Sequence, residues 1–144
     1  MPASVLVLLV LAAIAVDFAV VFLGEREVAD AAAAAANDAV VAAIGEQRFY
    51  TCGQLSLDQA AADRVAAQAI EARTADSVAA SKTRVDIGST AAGVPEATVT
   101  VTGTVDLIFA SAIPGASHTA EVSATSVATA EQDPSLAPVE GTCP

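Results

Sequence analysis

Residues 3–23 read ASVLVLLVLAAIAVDFAVVFL, and residues 28–44 read VADAAAAAANDAVVAAI. No Pro or turn cluster separates the two stretches. The reading that follows is one long helix, its first half suited to lipid and its second half rich in alanine, the best helix former. As a helix, residues 3–23 extend about 30 Å, the thickness of a bilayer core. Fourteen of these residues are Leu, Ile, Val or Phe, and the only ionisable one is Asp17. At roughly −0.4 kcal/mol for each large apolar residue, insertion outweighs the single carboxylate. A cleaved signal peptide requires a basic leader and a small-x-small site after a shorter apolar core. Met1–Ser4 has no Lys or Arg, and Phe22 to Arg26 make a poor cleavage site. A retained anchor over residues 1–24 is therefore expected.

Asp17 has two readings. Placed near the outer interface, its carboxylate snorkels to water. Placed deeper, it pairs with another subunit's N-terminus or with a polar group on a partner helix. The alanine run, in the segment 25–45 that continues the anchor, also has two. It is a stable solvent-facing helix, or its small side chains let helices of neighbouring subunits approach closely. Val, Leu and Ile are too sparse there for a broad private core stripe. Ala29, Ala32, Ala33 and Ala36 are accordingly expected, with Asp17, to be the assembly face.

Composition narrows the function. The chain has 144 residues with a net charge of −11. Such acidity repels phosphate backbones and argues against nucleic-acid partners. It suits an exported domain kept soluble by its charge. Aromatics make up 3% and Trp is absent, so the core available to residues 46–144 is modest. The two cysteines, Cys52 and Cys143, carry no zinc-type spacing. In an oxidising compartment they are expected to pair. Closing that loop adds at most roughly 4–5 kcal/mol by the chain-entropy model.

Beyond the long helix, Gly45 and a connector through Cys52 precede a second helix at about Asp58–Arg73, capped by Ser56 or Asp58. Its apolar face is expected at Leu57, Ala61, Val65, Ala69 and Ala72, with Ile70 adjacent. After Thr74 the period changes to two. Strands are expected near 77–87, over Ala97–Phe109 and over His118–Ala130, with turns at 88–95 and 112–117. Short connections imply an antiparallel meander packed on the second helix. The fold class is α+β: a long N-terminal transmembrane helix and a second helix packed on a small antiparallel β-meander.

No phosphate loop, HExxH or GxSxG occurs. Ser111 and His118 are near neighbours without a third partner, and the carboxylates are scattered. No catalytic, cofactor-binding or metal residues are assigned, no small-molecule substrate is evident, and the chain is not expected to be an enzyme.

Val16-Asp17, then Arg26, then Asp30 leading an alanine run resembles the N-terminal region of TadE/TadG-like proteins, pilin-like components of Tad (Flp-type) pilus systems. Val99–Phe109, Ile113-Pro114-Gly115 and Val122–Ala130 look like the C-terminal strands of that group. The resemblance covers most of the chain. It implies a bacterial minor pilin, pseudopilin or assembly accessory, single-pass in the cell membrane, with its head extracytoplasmic and other pilus subunits as partners. Pilin-type precursors carry a basic leader, a Gly and an early Glu that Met1–Ser4 does not show. Either the true start lies upstream or the member escapes the prepilin peptidase. The alternative function is a membrane-anchored extracytoplasmic binding module unrelated to pili.

Overall fold

A computed structural model describes residues 2–44, 56–74 and 78–130. Helix α1, Pro2–Ala43, is a single 42-residue helix with no break between its apolar and alanine-rich halves. At 1.5 Å per residue it is about 63 Å long. It is long and apolar enough to cross a membrane. Over its first half Val5 to Leu11, Phe18, Phe22 and Leu23 are exposed.

Its second half is the core of the head. Gly24, Val28, Ala32, Ala35, Ala36, Ala39, Val40 and Ala43 are buried at helical spacing. The head therefore starts near Gly24 and is not confined to residues 46–144. The expectation that Val, Leu and Ile are too sparse for a private stripe is corrected here. Alanine and valine suffice, because small side chains let a helix and a sheet approach until the gaps close.

Helix α2, Gln59–Thr74, folds back antiparallel to α1. Ala61 N–H donates to the Asp58 carboxylate at 2.7 Å, so Asp58 is the N-cap. Asp58 N–H donates to the Ala43 carbonyl at 2.9 Å, and Ile44 bridges Leu57, which ties the end of α1 to the start of α2. The buried face of α2 is Ala62, Ala66, Ile70 and Thr74. That is one residue on from the expected face: Ala61, Val65 and Ala69 flank it and Ala72 is exposed. Ile70, the larger side chain set beside alanines, decides the orientation.

Three strands follow: β1 Ala79–Ser89, β2 Pro95–Asp106 and β3 Thr119–Thr129. They form an antiparallel meander in the order β1-β2-β3. Register places Val85 opposite Val99, Gly103 opposite Val122 and Val105 opposite Ala120, all on the inner face. The alternation of valine and threonine in β2 sends Ala97, Val99, Val101 and Val105 into the core. The outer face carries Thr98, Thr100, Thr102 and Thr104, with an Arg84–Asp86 ion pair at 2.8 Å. β2 and β3 lie across α1, whereas α2 packs on β1. There Gln59 Nε2 donates to the Val85 carbonyl at 2.9 Å. The meander thus packs on both helices rather than on the second alone. Two glycines admit close approach: a Cβ at Gly103 would collide with Val78, and one at Gly24 would lie 2.5 Å from Val105 Cγ1.

Candidate functional site: the Asp17 clamp and the apolar loop

One face of α1 runs continuously from its apolar first half into the head. Val10, Ile14, Asp17, Val21, Gly24, Val28, Ala31 and Ala35 follow one another at steps of four and three, so they share that face. From Val28 onward the sheet and α2 cover it. Below Gly24 it is covered by the segment joining β2 to β3.

This segment, Leu107–Ser117, reads LIFASAIPGAS and has no charged residue. It leaves β2 beside Gly24, runs back along α1 and returns to β3. Asp17 holds it there. Ile108 and Phe109 N–H groups donate to Asp17 Oδ1 at 2.9 and 3.0 Å, and Ala110 N–H donates to Oδ2 at 2.8 Å. They lead into a short 3-10 turn, Ala110–Ala112, whose N-cap is Phe109. They would otherwise lack partners, as at any helix start. A carboxylate is a strong acceptor and can take several donors at once.

The Asp17 carboxylate has its polar partner within the subunit. That partner is the chain's own loop rather than a neighbouring subunit. Both carboxylate oxygens are engaged within the subunit.

Between α1 and this loop lies an apolar groove of about 540 Å³, with Val10, Ile14 and Phe18 on the helix side and Leu107, Phe109 and Ile113 on the loop side. Ile108, Phe109 and Ile113 remain exposed. Charge reappears just above, where Arg26, Glu27 and Asp30 of α1 and Arg73 of α2 line a shallow polar groove.

The expected assembly alanines divide. Ala32 and Ala36 are buried in the subunit's own core, and Ala29 and Ala33 are exposed. Ala32 and Ala36 are therefore spent inside the head, since each faces the meander or α2 and leaves no surface for a partner helix. Cys52 and Cys143 lie outside the described residues, and so does the connector after α1. Ser111 and His118 have backbone roles: the Ser111 hydroxyl donates to the Ile108 carbonyl at 2.7 Å, and the His118 carbonyl accepts from Leu107 N–H at 2.8 Å. No cluster of three or more metal-ligating side chains occurs among the described residues. The loop itself was not singled out from the sequence. Its signals are an eleven-residue charge-free stretch in an acidic chain and the placement of Asp17 and Gly24 on one helix face.

No family model, curated protein or solved structure matches the chain.

Proposed function

We propose that the chain is a structural, non-enzymatic component of Tad/Flp-type pilus biogenesis or secretion: a minor pilin, pseudopilin or assembly accessory. The observation that carries this reading is the double use of α1. Its first half presents apolar side chains outward, and its second half is the core of a small α+β head. A pilin-like subunit needs that arrangement. The exposed half sits in the bilayer before assembly and can pack against the same half of other subunits afterwards, while the head stays folded throughout. The resemblance of Val16-Asp17, Arg26 and the Asp30-led alanine run to TadE/TadG-like proteins supports the pilus assignment. The acidity and the two cysteines support an extracytoplasmic head in a bacterial cell membrane.

The test is an immunoblot of sheared surface filaments against washed membranes, together with piliation of a deletion strain. Signal in the filaments marks a minor pilin. Signal in membranes with loss of pili on deletion marks an assembly accessory. Signal in membranes with normal piliation overturns the pilus reading and leaves an anchored module.

A further inference from the structure

We propose that the Leu107–Ser117 loop enters the bilayer beside α1, so that the head is seated in the membrane by a helix and a lipid-facing loop that Asp17 holds together. This rests on the membrane-anchored reading of α1 given above.

The apolar run of α1 ends at Leu23, and Glu25, Arg26 and Glu27 follow. That places the water boundary near Gly24. Asp17 is seven residues below it, about 10 Å down the helix axis, and Val10 about 21 Å down. The loop is hydrogen-bonded at the level of Asp17, and its Phe109 and Ile113 share a groove with Val10 and Ile14. A bilayer that takes α1 up to Leu23 therefore takes the loop with it. Holding the loop in water would lower the boundary to about Val10. The exposed apolar side chains of α1 between Val10 and Leu23, among them Ile14, Phe18 and Phe22, would then stand in water.

The loop's chemistry fits that position. Its exposed side chains are Ile108, Phe109 and Ile113, and nothing charged interrupts it between Asp106 and His118. Non-helical backbone is tolerated at membrane depth only where its polar groups are satisfied within the protein. Pro114 has no N–H, and seven of the other ten backbone N–H groups of the loop have partners. Leu107 donates to His118, Ile108 to Ala110 donate to Asp17, and Ala112, Ile113 and Ala116 donate to carbonyls of the loop's own turns. Without Asp17, three consecutive N–H groups in this apolar setting would be orphaned. A carboxylate inside an apolar helix, costly by itself, is thereby explained as the acceptor that lets the loop leave water.

The occupant favoured by these observations is lipid. A second copy of the chain would also cover an apolar face, and the experiment separates the two. The chain has no Trp, so Phe109→Trp introduces a single indole by a conservative change. Phe18→Trp, on the exposed side of the anchor, reports the helix. Val127→Trp, on the outer face of the sheet, reports the water-exposed head. The full-length proteins are reconstituted in phosphatidylcholine–phosphatidylglycerol vesicles at low protein density. They are then exposed to nitroxide-labelled lipids and, separately, to aqueous iodide.

The expected result is loss of most of the emission to nitroxide lipids at positions 18 and 109 alike. Iodide should have little effect at either site and strong quenching is expected at position 127. Lipid quenching at 18 but iodide quenching at 109 overturns the loop proposal and leaves the anchor standing. Protection of 109 from both quenchers overturns it in favour of a protein-covered surface. Iodide quenching at 18 overturns the anchor and the loop together. Adding Asp17→Ala to the Phe109→Trp protein should release the loop, with lipid quenching falling at 109 and unchanged at 18 in the Phe18→Trp counterpart. Unchanged lipid quenching at 109 in that double variant would show that Asp17 does not hold the loop.

Discussion

Gly24 is where the apolar half of α1 meets the head, and Gly24→Ala tests whether α1 and β2 are in contact there. An ideal Cβ on Gly24 lies 2.5 Å from Val105 Cγ1, with Val105 Cβ at 3.6 Å and Cγ2 at 3.8 Å. Carbon atoms settle at about 3.5–4.0 Å, so about 1 Å of displacement is required. Val105 cannot supply it cheaply. It is 2% exposed, it sits in the central strand opposite Ala120, and a β-branched side chain has little χ1 freedom. Overpacking of this kind costs about 1–3 kcal/mol. Against it stands the helix-propensity gain of Ala over Gly, about 0.5–1 kcal/mol. The net expectation is destabilisation by about 0.5–2 kcal/mol. In a Val105→Ala background the room exists, so the same substitution should stabilise by about 0.5–1 kcal/mol through propensity. The coupling between the two changes is then about 1–3 kcal/mol. Urea unfolding of the full chain in mild detergent, followed by circular dichroism, measures all four corners of the cycle. Additivity within about 0.5 kcal/mol would refute the contact, because independent sites add to that tolerance.

Two further outcomes follow from the core. Ala36→Leu forces three extra carbons into a buried site and should destabilise the head by about 1–3 kcal/mol, whereas Ala33→Leu, one residue of the same run but exposed, should leave the unfolding midpoint unchanged. Equal effects would return the alanine run to a single exposed assembly surface. Ile70→Ala removes one of the largest fully buried side chains and should cost about 2–5 kcal/mol, a large share of the roughly 5–15 kcal/mol that holds a domain together. A midpoint within error of the parent would mean that α2 does not pack through Ile70.

The elements themselves were legible because each rests on a local pattern. Twenty-one residues with one charge, an uninterrupted alanine run, and valine alternating with threonine in β2 each admit one period. The order of strands followed from connection lengths too short for a crossover. What escaped was set by distance in the chain. The donors to Asp17 lie 91 to 93 residues away, and no local rule links a carboxylate in an apolar helix to a turn between two strands. The fate of the alanine run depended on whether a sheet would approach closely enough to use it. That depends in part on Gly24, where the close passage of β2 requires the absence of a side chain. The α2 face was misplaced by one residue because alanines surround it on every side, and only Ile70 discriminates. Leu107–Phe109 were read as the end of β2, since they continue its apolar character. The strand stops at Asp106 because the Ile108–Ala110 N–H groups turn toward Asp17.

The clamp and the close contact together determine how the head sits on its anchor. A long helix leaving a small domain can in principle swing about its exit point, and Gly24, a weak helix former at that point, is where bending would be cheapest. Three features oppose it. Val105 lies against Gly24 on the head side, partly buried Val20 and Val21 extend the core below it, and the Asp17 hydrogen bonds fasten the loop about 10 Å further along the helix. Contacts on both sides of the weak point, all on one helix face, convert a possible hinge into a braced joint. A displacement of the apolar half of α1 is then transmitted to the head as a rigid rotation. The outer threonine face of the sheet keeps a fixed angle to whatever surrounds the anchor. Releasing the loop removes the outermost brace and leaves the joint held by Val105, Val20 and Val21. The loop thereby becomes more than a cover for one stripe of α1: it is a strut that fixes the apolar half of the helix relative to the head.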